Sequence, residues 1–134
     1  MCVLCACVCI VLLLLEPPVL EGYLYKLKHH PTYIFGSWTY RYLRLDREEE
    51  SLVYYKRKED VARIDLKPKL LSMINKIKSV RAIDEWTIQL VVEPDVKYKP
   101  DAVYNLRAVT KEEKDKWHEQ LETYNKALLV YLIN

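Results

Sequence analysis

From residue 19 onward the chain alternates apolar and polar residues with a period of two, the pattern of strands that bury one face. "VLEGYLYKL" (19–27) is the first such run and "WTYRYLRL" (38–45) the second. Between them "HHPTYIFGS" (29–37), with Pro31 and Gly36, reads as a loop. The polar turn "DREEES" leads into "LVYYKR" (52–57) as a third strand, and "VARIDL" (61–66) reads as a fourth. In "KPKLLSMINKIKSVRAID" Pro68 interrupts, 69–75 reads as a short helical turn and 77–83 returns to strand. "WTIQLVV" (86–92) and "AVYNLRAV" (102–109) complete seven, joined by a loop holding Pro94 and Pro100.

The period then changes. In "TKEEKDKWHEQLETY" Thr110 and Glu113 have capping-box spacing, and Glu112 and Glu113 lie at the positive end of a helix dipole. Trp117, Leu121, Tyr124, Leu128 and Tyr131 recur at steps of four and three, one face of a helix. An apolar stripe on so polar a helix must press on something. Seven short strands followed by one amphipathic helix is an α+β order, mostly β, with the helix free to plug one opening of a sandwich or partly open barrel. Trp117 and Leu121 are the predicted plug, with Leu106 and Ala108 leading the chain into it.

Composition adjusts this picture at the N-terminus. All four cysteines fall within "MCVLCACVC", and residues 1–15 are apolar and uncharged. That stretch is shorter than the ~20 residues that span a bilayer, and it lacks the basic start and clear cleavage site of a secretory signal. Residues 1–18 therefore read as a Cys-rich leader outside the fold, with "EPP" (16–18) as the boundary. A palmitoylated or membrane-embedded anchor is the other reading of the same cysteines. The domain is placed at 19–126, and "ALLVYLIN" (127–134) as an apolar extension of its helix. A core without cysteine uses no disulfide, as suits a cytoplasmic protein.

The net charge is only +2, but it is unevenly spread. Residues 23–45 carry four Lys/Arg and no acid, and residues 56–81 carry nine against three acids, while the remainder is net acidic. Such polarity suits an anionic membrane surface or a phosphorylated ligand.

Four segments in this order resemble the pleckstrin homology (PH) domain family over about residues 19–126. "EGYLYKL", "SWTYRYLRL" and "SLVYYK" look like its first three strands, and "YNLRAVTKEEKDKWHEQL" is similar to its last strand and helix, centred on a Trp. The resemblance implies a seven-stranded antiparallel PH-like sandwich capped by one C-terminal helix. In many members the loops after strands one, three and six frame a site for inositol phosphates.

Strand alternation indicates independently which side chains converge there. Lys26 continues the row of Leu20, Gly22 and Leu24, Arg41 continues that of Leu45 and Leu43, and Lys56 continues that of Leu52 and Tyr54. Three inward rows thus each end in a cation, with Lys28, Arg57 and Lys58 expected at the rim. Arg grips phosphate with two prongs and Lys acts as a point charge. The departure from the family pattern is Thr39, where a basic residue is expected, so attraction without tight selectivity follows. Tyr33, Ile34 and Phe35 at the first loop tip are candidates for the bilayer interface, and Asp84 and Glu85 argue against a second lipid site beside the fifth and sixth strands.

No catalytic arrangement is suggested. His29 and His30 sit in a loop, His118 lies on the charged helix, and the cysteines belong to the leader. Gly22 and Gly36 are the only glycines, so no phosphate-cradling loop exists, and no basic helix invites nucleic acid. No metal or other cofactor is implied. The reading is a non-catalytic, monomeric module of a larger cytoplasmic protein, peripheral to membrane, whose partner is anionic lipid, including phosphoinositide. The alternative is an adaptor module on the same superfold, in which a protein partner adds a peptide to an open sheet edge beside the C-terminal helix. Deleting residues 1–16 is expected to leave the melting temperature nearly unchanged; a truncated chain that cannot fold, or that loses a bound metal, makes the leader structural.

Overall fold

A computed structural model describes residues 20–29, 37–46 and 48–133, with side chains through residue 127. Seven antiparallel strands form one sheet: β1 (Glu21–His29), β2 (Thr39–Asp46), β3 (Ser51–Tyr55), β4 (Lys69–Met73), β5 (Ile77–Ala82), β6 (Thr87–Val92) and β7 (Ala102–Arg107), followed by α1 (Lys111–Ile133). The hydrogen-bonded order is β4-β3-β2-β1-β7-β6-β5, so β4 and β5 are the two edges. The sheet does not close through a ladder between them. It curls, because only the three-residue 3-10 turn Ile74–Lys76 connects those two edges.

That corner is held from three sides. Ile74 N–H donates to the Glu50 carbonyl at 3.0 Å, tying in the β2–β3 turn, and Glu93 N–H donates to the Lys76 carbonyl at 2.8 Å. From above, the Asn125 amide of α1 donates to the carbonyls of Ile74 and Ile77 at 3.0 and 2.9 Å. Asn125 is buried, and its two N–H groups are satisfied at this corner, where the Ile77 N–H also bonds the Ile74 carbonyl.

The core is a single cluster in which Leu20, Leu24, Leu43, Leu52, Ile88, Leu90 and Leu106 meet Trp117, Leu121 and Tyr124 of the helix. Trp117 is 1 % exposed and Leu121 0 %, as the stripe predicts. Ala108, also buried, is fixed by its N–H to the Trp86 carbonyl at 2.8 Å. The helix starts as predicted: Thr110 Oγ1 accepts the Glu113 N–H at 3.2 Å. Leu128 and Tyr131, the rest of the stripe, lie outside the described side chains.

On the outer face, cross-strand tyrosines form a ladder over β1 and β2. Tyr23 stacks on Tyr40 with ring centroids 5.0 Å apart, and Tyr25 meets Tyr40 at 4.7 Å. Rings opposite each other on a sheet face stabilise the pairing, which is one use of a tyrosine-rich composition.

The fourth strand differs from expectation. Residues 61–66 are not a strand; Lys58–Ala62 is a 3-10 turn, and the strand is Lys69–Met73. "VARIDL" alternates, but it has no neighbouring strand to pair with, whereas "KLLSM" reaches β3 across a register shift at Leu52/Val53. Pro68 immediately precedes this edge strand, where a missing N–H is tolerated. The helical turn expected at 69–75 shrinks to Ile74–Lys76.

Trp117→Ala is expected to destabilise the protein by about 3–5 kcal/mol, the cost of emptying a large aromatic core site, as read by chemical denaturation; a loss below about 1 kcal/mol contradicts the plug. Asn125→Asp replaces a donor by a carboxylate facing two carbonyls. Burial and that repulsion raise the pKa of the new acid, and only its protonated form can donate. The folded variant then binds a proton that the unfolded chain has released, so its deficit against wild type is expected to widen from about pH 4 to pH 7. A deficit independent of pH overturns the clamp.

Candidate functional site

Away from the helix plug, the inward side of β1, β2 and β3 ends in the cations that alternation predicts. A cleft of about 310 Å³ is lined by Arg41, Tyr54, Tyr55, Lys56, Arg57, Asp60, Arg63, Leu66, Lys67 and Lys69. Lys26 stands at its edge, with Nζ 4.6 Å from the centre of the Tyr54 ring. Arg41 is oriented by its own neighbour, Nη1 donating to the Tyr40 carbonyl at 2.8 Å. Among the described residues Asp60 is the only acid that lines the cleft. Among the described residues no carboxylate forms an ion pair with Lys26, Arg41, Lys56, Arg57, Lys67 or Lys69.

The crowding of charge is visible in Lys26. Burial first, then the proximity of Arg41, Lys28 and Lys69, holds its ammonium below the ordinary amine value. The fold thus keeps a partly buried cation among like charges, with the face of the Tyr54 ring close to it. Burial and like-charge repulsion both disfavour the charged form of this side chain.

The predicted residues separate into three places. Lys26, Arg41, Lys56 and Arg57 come together at the cleft. Lys28 leans toward β7, its Nζ 5.7 Å from the Tyr104 ring centre, but is close enough to act on Lys26. Lys58 is not in the cleft. The 3-10 turn that begins with it crosses to the outer face, where the Lys58 N–H donates to the Tyr23 hydroxyl at 2.8 Å and its side chain lines a hollow with Glu21, Tyr42 and Arg44. Thr39 uses its hydroxyl on the backbone, donating to the Lys26 carbonyl at 3.3 Å, and so adds no charge. Tyr33, Ile34 and Phe35 lie outside the described residues.

Arg63, Lys67 and Lys69 line the cleft without having been singled out in the sequence. Their signal was the charge excess of residues 56–81, but a strand at 61–66 would have pointed them elsewhere. A second hollow of about 440 Å³ lies on the opposite sheet face, with Tyr25, Trp38, Trp86, Arg107, Ala108 and Val109 around it. Asp84 acts as a turn residue, its carboxylate accepting the Trp86 N–H at 2.8 Å. His118 pairs with Glu122 at 2.9 Å on the helix surface. Among the described residues no group of His, Cys, Asp and Glu could hold a metal, and no helix is long and apolar enough to cross a membrane.

The family profile of the PH domain matches residues 18–124, and the chain belongs to that family. Solved structures share its fold. The PH domain of human oxysterol-binding protein-related protein 11 is 22% identical, with a TM-score of 0.57 over 81% of this chain and 81% of that one. The Slm1-PH domain, solved with inositol 4-phosphate, is 14% identical, with a TM-score of 0.58 over 81% and 96%. The DH/PH fragment of PDZRhoGEF, solved with human RhoA, is 20% identical, with a TM-score of 0.56 over 82% of this chain and 29% of that one. No curated protein matches the chain.

Lys26→Met is expected to raise the melting temperature at pH 7, because it removes repulsion and the burial of charge. Lys26 has a lowered folded-state pKa, so between that value and 10.5 the unfolded chain holds more protons and wild-type stability rises with pH. The advantage of the variant should therefore shrink as the pH approaches 10.5. Thermal unfolding across pH checks this, and a lower melting temperature for the variant at pH 7 contradicts it.

Proposed function

We propose that this PH domain is a non-catalytic module that docks a larger cytoplasmic protein on membranes by weak binding of anionic lipid head groups, phosphoinositides among them. One observation carries the reading: among the described residues Lys26, Arg41, Lys56, Arg57, Lys67 and Lys69 crowd one cleft with no ion-paired carboxylate, Asp60 being the acid in its lining and Arg63 being paired with Asp65. Its volume of about 310 Å³ is at the lower end for small-ligand sites. Arg41, near the start of β2, supplies two-pronged contact with a phosphoryl group, and the lysines add charge without directional demand. Slm1-PH, which shares the fold, holds inositol 4-phosphate in its solved structure. Thr39, committed to the backbone, leaves the cleft one contact short of the family pattern, so selectivity among head groups suffers more than attraction.

A second reading, an adaptor that binds protein, is favoured by the outer-face hollow and by the two open sheet edges. Trp38 and Trp86 are 39 % and 41 % exposed there, and aromatic hollows of this kind suit peptides. β5 is an edge strand packed beside α1, where an added peptide strand would lie.

Co-sedimentation with vesicles across a salt series separates the two. Wild type is expected to bind vesicles containing anionic lipid at about 0.1 M salt and to be largely released toward 1 M, as the screening length falls from about 10 Å to 3 Å. A charge-assisted contact contributes about 1.5–3 kcal/mol, so Arg41→Ala should weaken binding roughly tenfold or more. Unchanged binding by the variant moves the site elsewhere, and no binding by wild type at low salt puts the adaptor reading in front.

A further inference from the structure

The connection between β3 and β4 carries an apolar residue that the fold does not use. Ile64 is 101 % exposed, and Leu66 and Leu70 are 38 % and 58 % exposed. Ile64 is not on a frayed loop. It occupies the corner of a turn closed by the Leu66 N–H on the Arg63 carbonyl at 3.4 Å. The turn is braced by the Arg63 guanidinium gripping both oxygens of Asp65, at 3.2 and 2.7 Å. Turn corners favour polar residues, Gly or Pro, and a β-branched apolar side chain fully exposed to water there contributes nothing to folding.

What surrounds Ile64 identifies what covers it. Arg57, Arg63, Lys67 and Lys69 line the adjoining cleft, and Leu66 belongs to both the cleft and the turn. An apolar tip beside a cleft lined by Arg57, Lys67 and Lys69, with Arg63 already paired to Asp65, complements an anionic bilayer: the tip enters the boundary between head groups and acyl chains, and those three side chains stay level with the phosphates. A soluble head group would satisfy the collar but leave Ile64 in water.

We infer that the Arg63–Leu70 connection is a membrane wedge, with Ile64 as its inserted tip, so that the ligand of the cleft is lipid in an anionic bilayer and not a free phosphorylated sugar. This rests on the head-group reading above. The wedge adds a contribution that salt does not screen, placed on a different loop from the Tyr33–Phe35 tip expected from sequence.

The test uses the full chain, phosphatidylcholine vesicles containing phosphatidylserine, and inositol 4-phosphate as a soluble probe. Ile64→Ser is expected to weaken vesicle binding about tenfold, and to leave the melting temperature and the affinity for soluble inositol 4-phosphate unchanged. Wild type should retain a salt-resistant fraction of binding that Ile64→Ser lacks. In Ile64→Trp, brominated acyl chains should quench fluorescence beyond the wild-type level. If Ile64→Ser sediments like wild type while Arg41→Ala does not, the wedge is overturned and the cleft reading stands. If wild type binds and neither substitution matters, or if wild type does not bind, both are overturned.

Discussion

The two edge strands of this sheet meet without pairing, and the rest of the architecture answers to that one corner. A ladder between β4 and β5 would close the barrel and need no helix. Instead a three-residue turn joins them, closed by the Ile77 N–H on the Ile74 carbonyl. Asn125 adds two side-chain donors, to the Ile74 and Ile77 carbonyls, which ties α1 to this corner, with Trp117, Leu121 and Tyr124 packed in the core. The capping helix is thus held by directional bonds at the corner and by apolar burial along its length. Such burial is unselective in register, while two hydrogen bonds to named carbonyls are not.

Plugging one end of the sandwich leaves the other open, and the strands run past the core into it. Rows that are apolar under the helix become cationic beyond it: Leu24 is followed by Lys26, and Leu43 is preceded by Arg41. The β3–β4 connection then brings Arg57, Arg63, Lys67 and Lys69 to the same mouth. Structural needs do not explain this concentration of charge. Repulsion and burial lower the basicity of Lys26, and a sequence selected for stability alone would place a carboxylate there or no charge at all. The energetic strain and the lipid-docking reading therefore have the same source. On the outer face, tyrosine pairs and the Lys58–Ala62 turn cover β1 and β2, leaving the aromatic hollow around Trp38 and Trp86 as a separate surface.

Much of this was legible in the chain. Six of the seven strands declare themselves by period, and the helix by Thr110, Glu113 and the Trp117 stripe, because each of those elements has one face in the core and one in water. The fourth strand did not. At "VARIDL" the alternation is genuine but has no partner, and Ile64 in its middle faces water; at "KLLSM" an edge strand with a bulged partner buries Leu71 and Ser72 together and shows no period. Pairing is a tertiary property that periodicity cannot report. In the site, Lys26, Arg41 and Lys56 were readable because a strand fixes direction. Lys58 was expected at the rim and lies on the outer face, and Arg63, Lys67 and Lys69 were not assignable one by one, because all four lie on or beside a connection whose course depends on that fourth strand. Asn125 was invisible for the same reason: its partners are backbone carbonyls on a corner that no local pattern marks.

The central claim is that the fold keeps Lys26 charged at a cost that a bound phosphoryl group relieves. Its most direct test is the titration of the Lys26 ammonium by NMR of 15N-labelled protein, first alone and then saturated with an inositol phosphate. Alone, Lys26 should titrate below the ordinary lysine value of 10.5, and with the anion bound its midpoint should rise, since a neighbouring negative charge favours the protonated form. A midpoint that the ligand leaves where it was would place the anion somewhere other than this cleft and contradict the account.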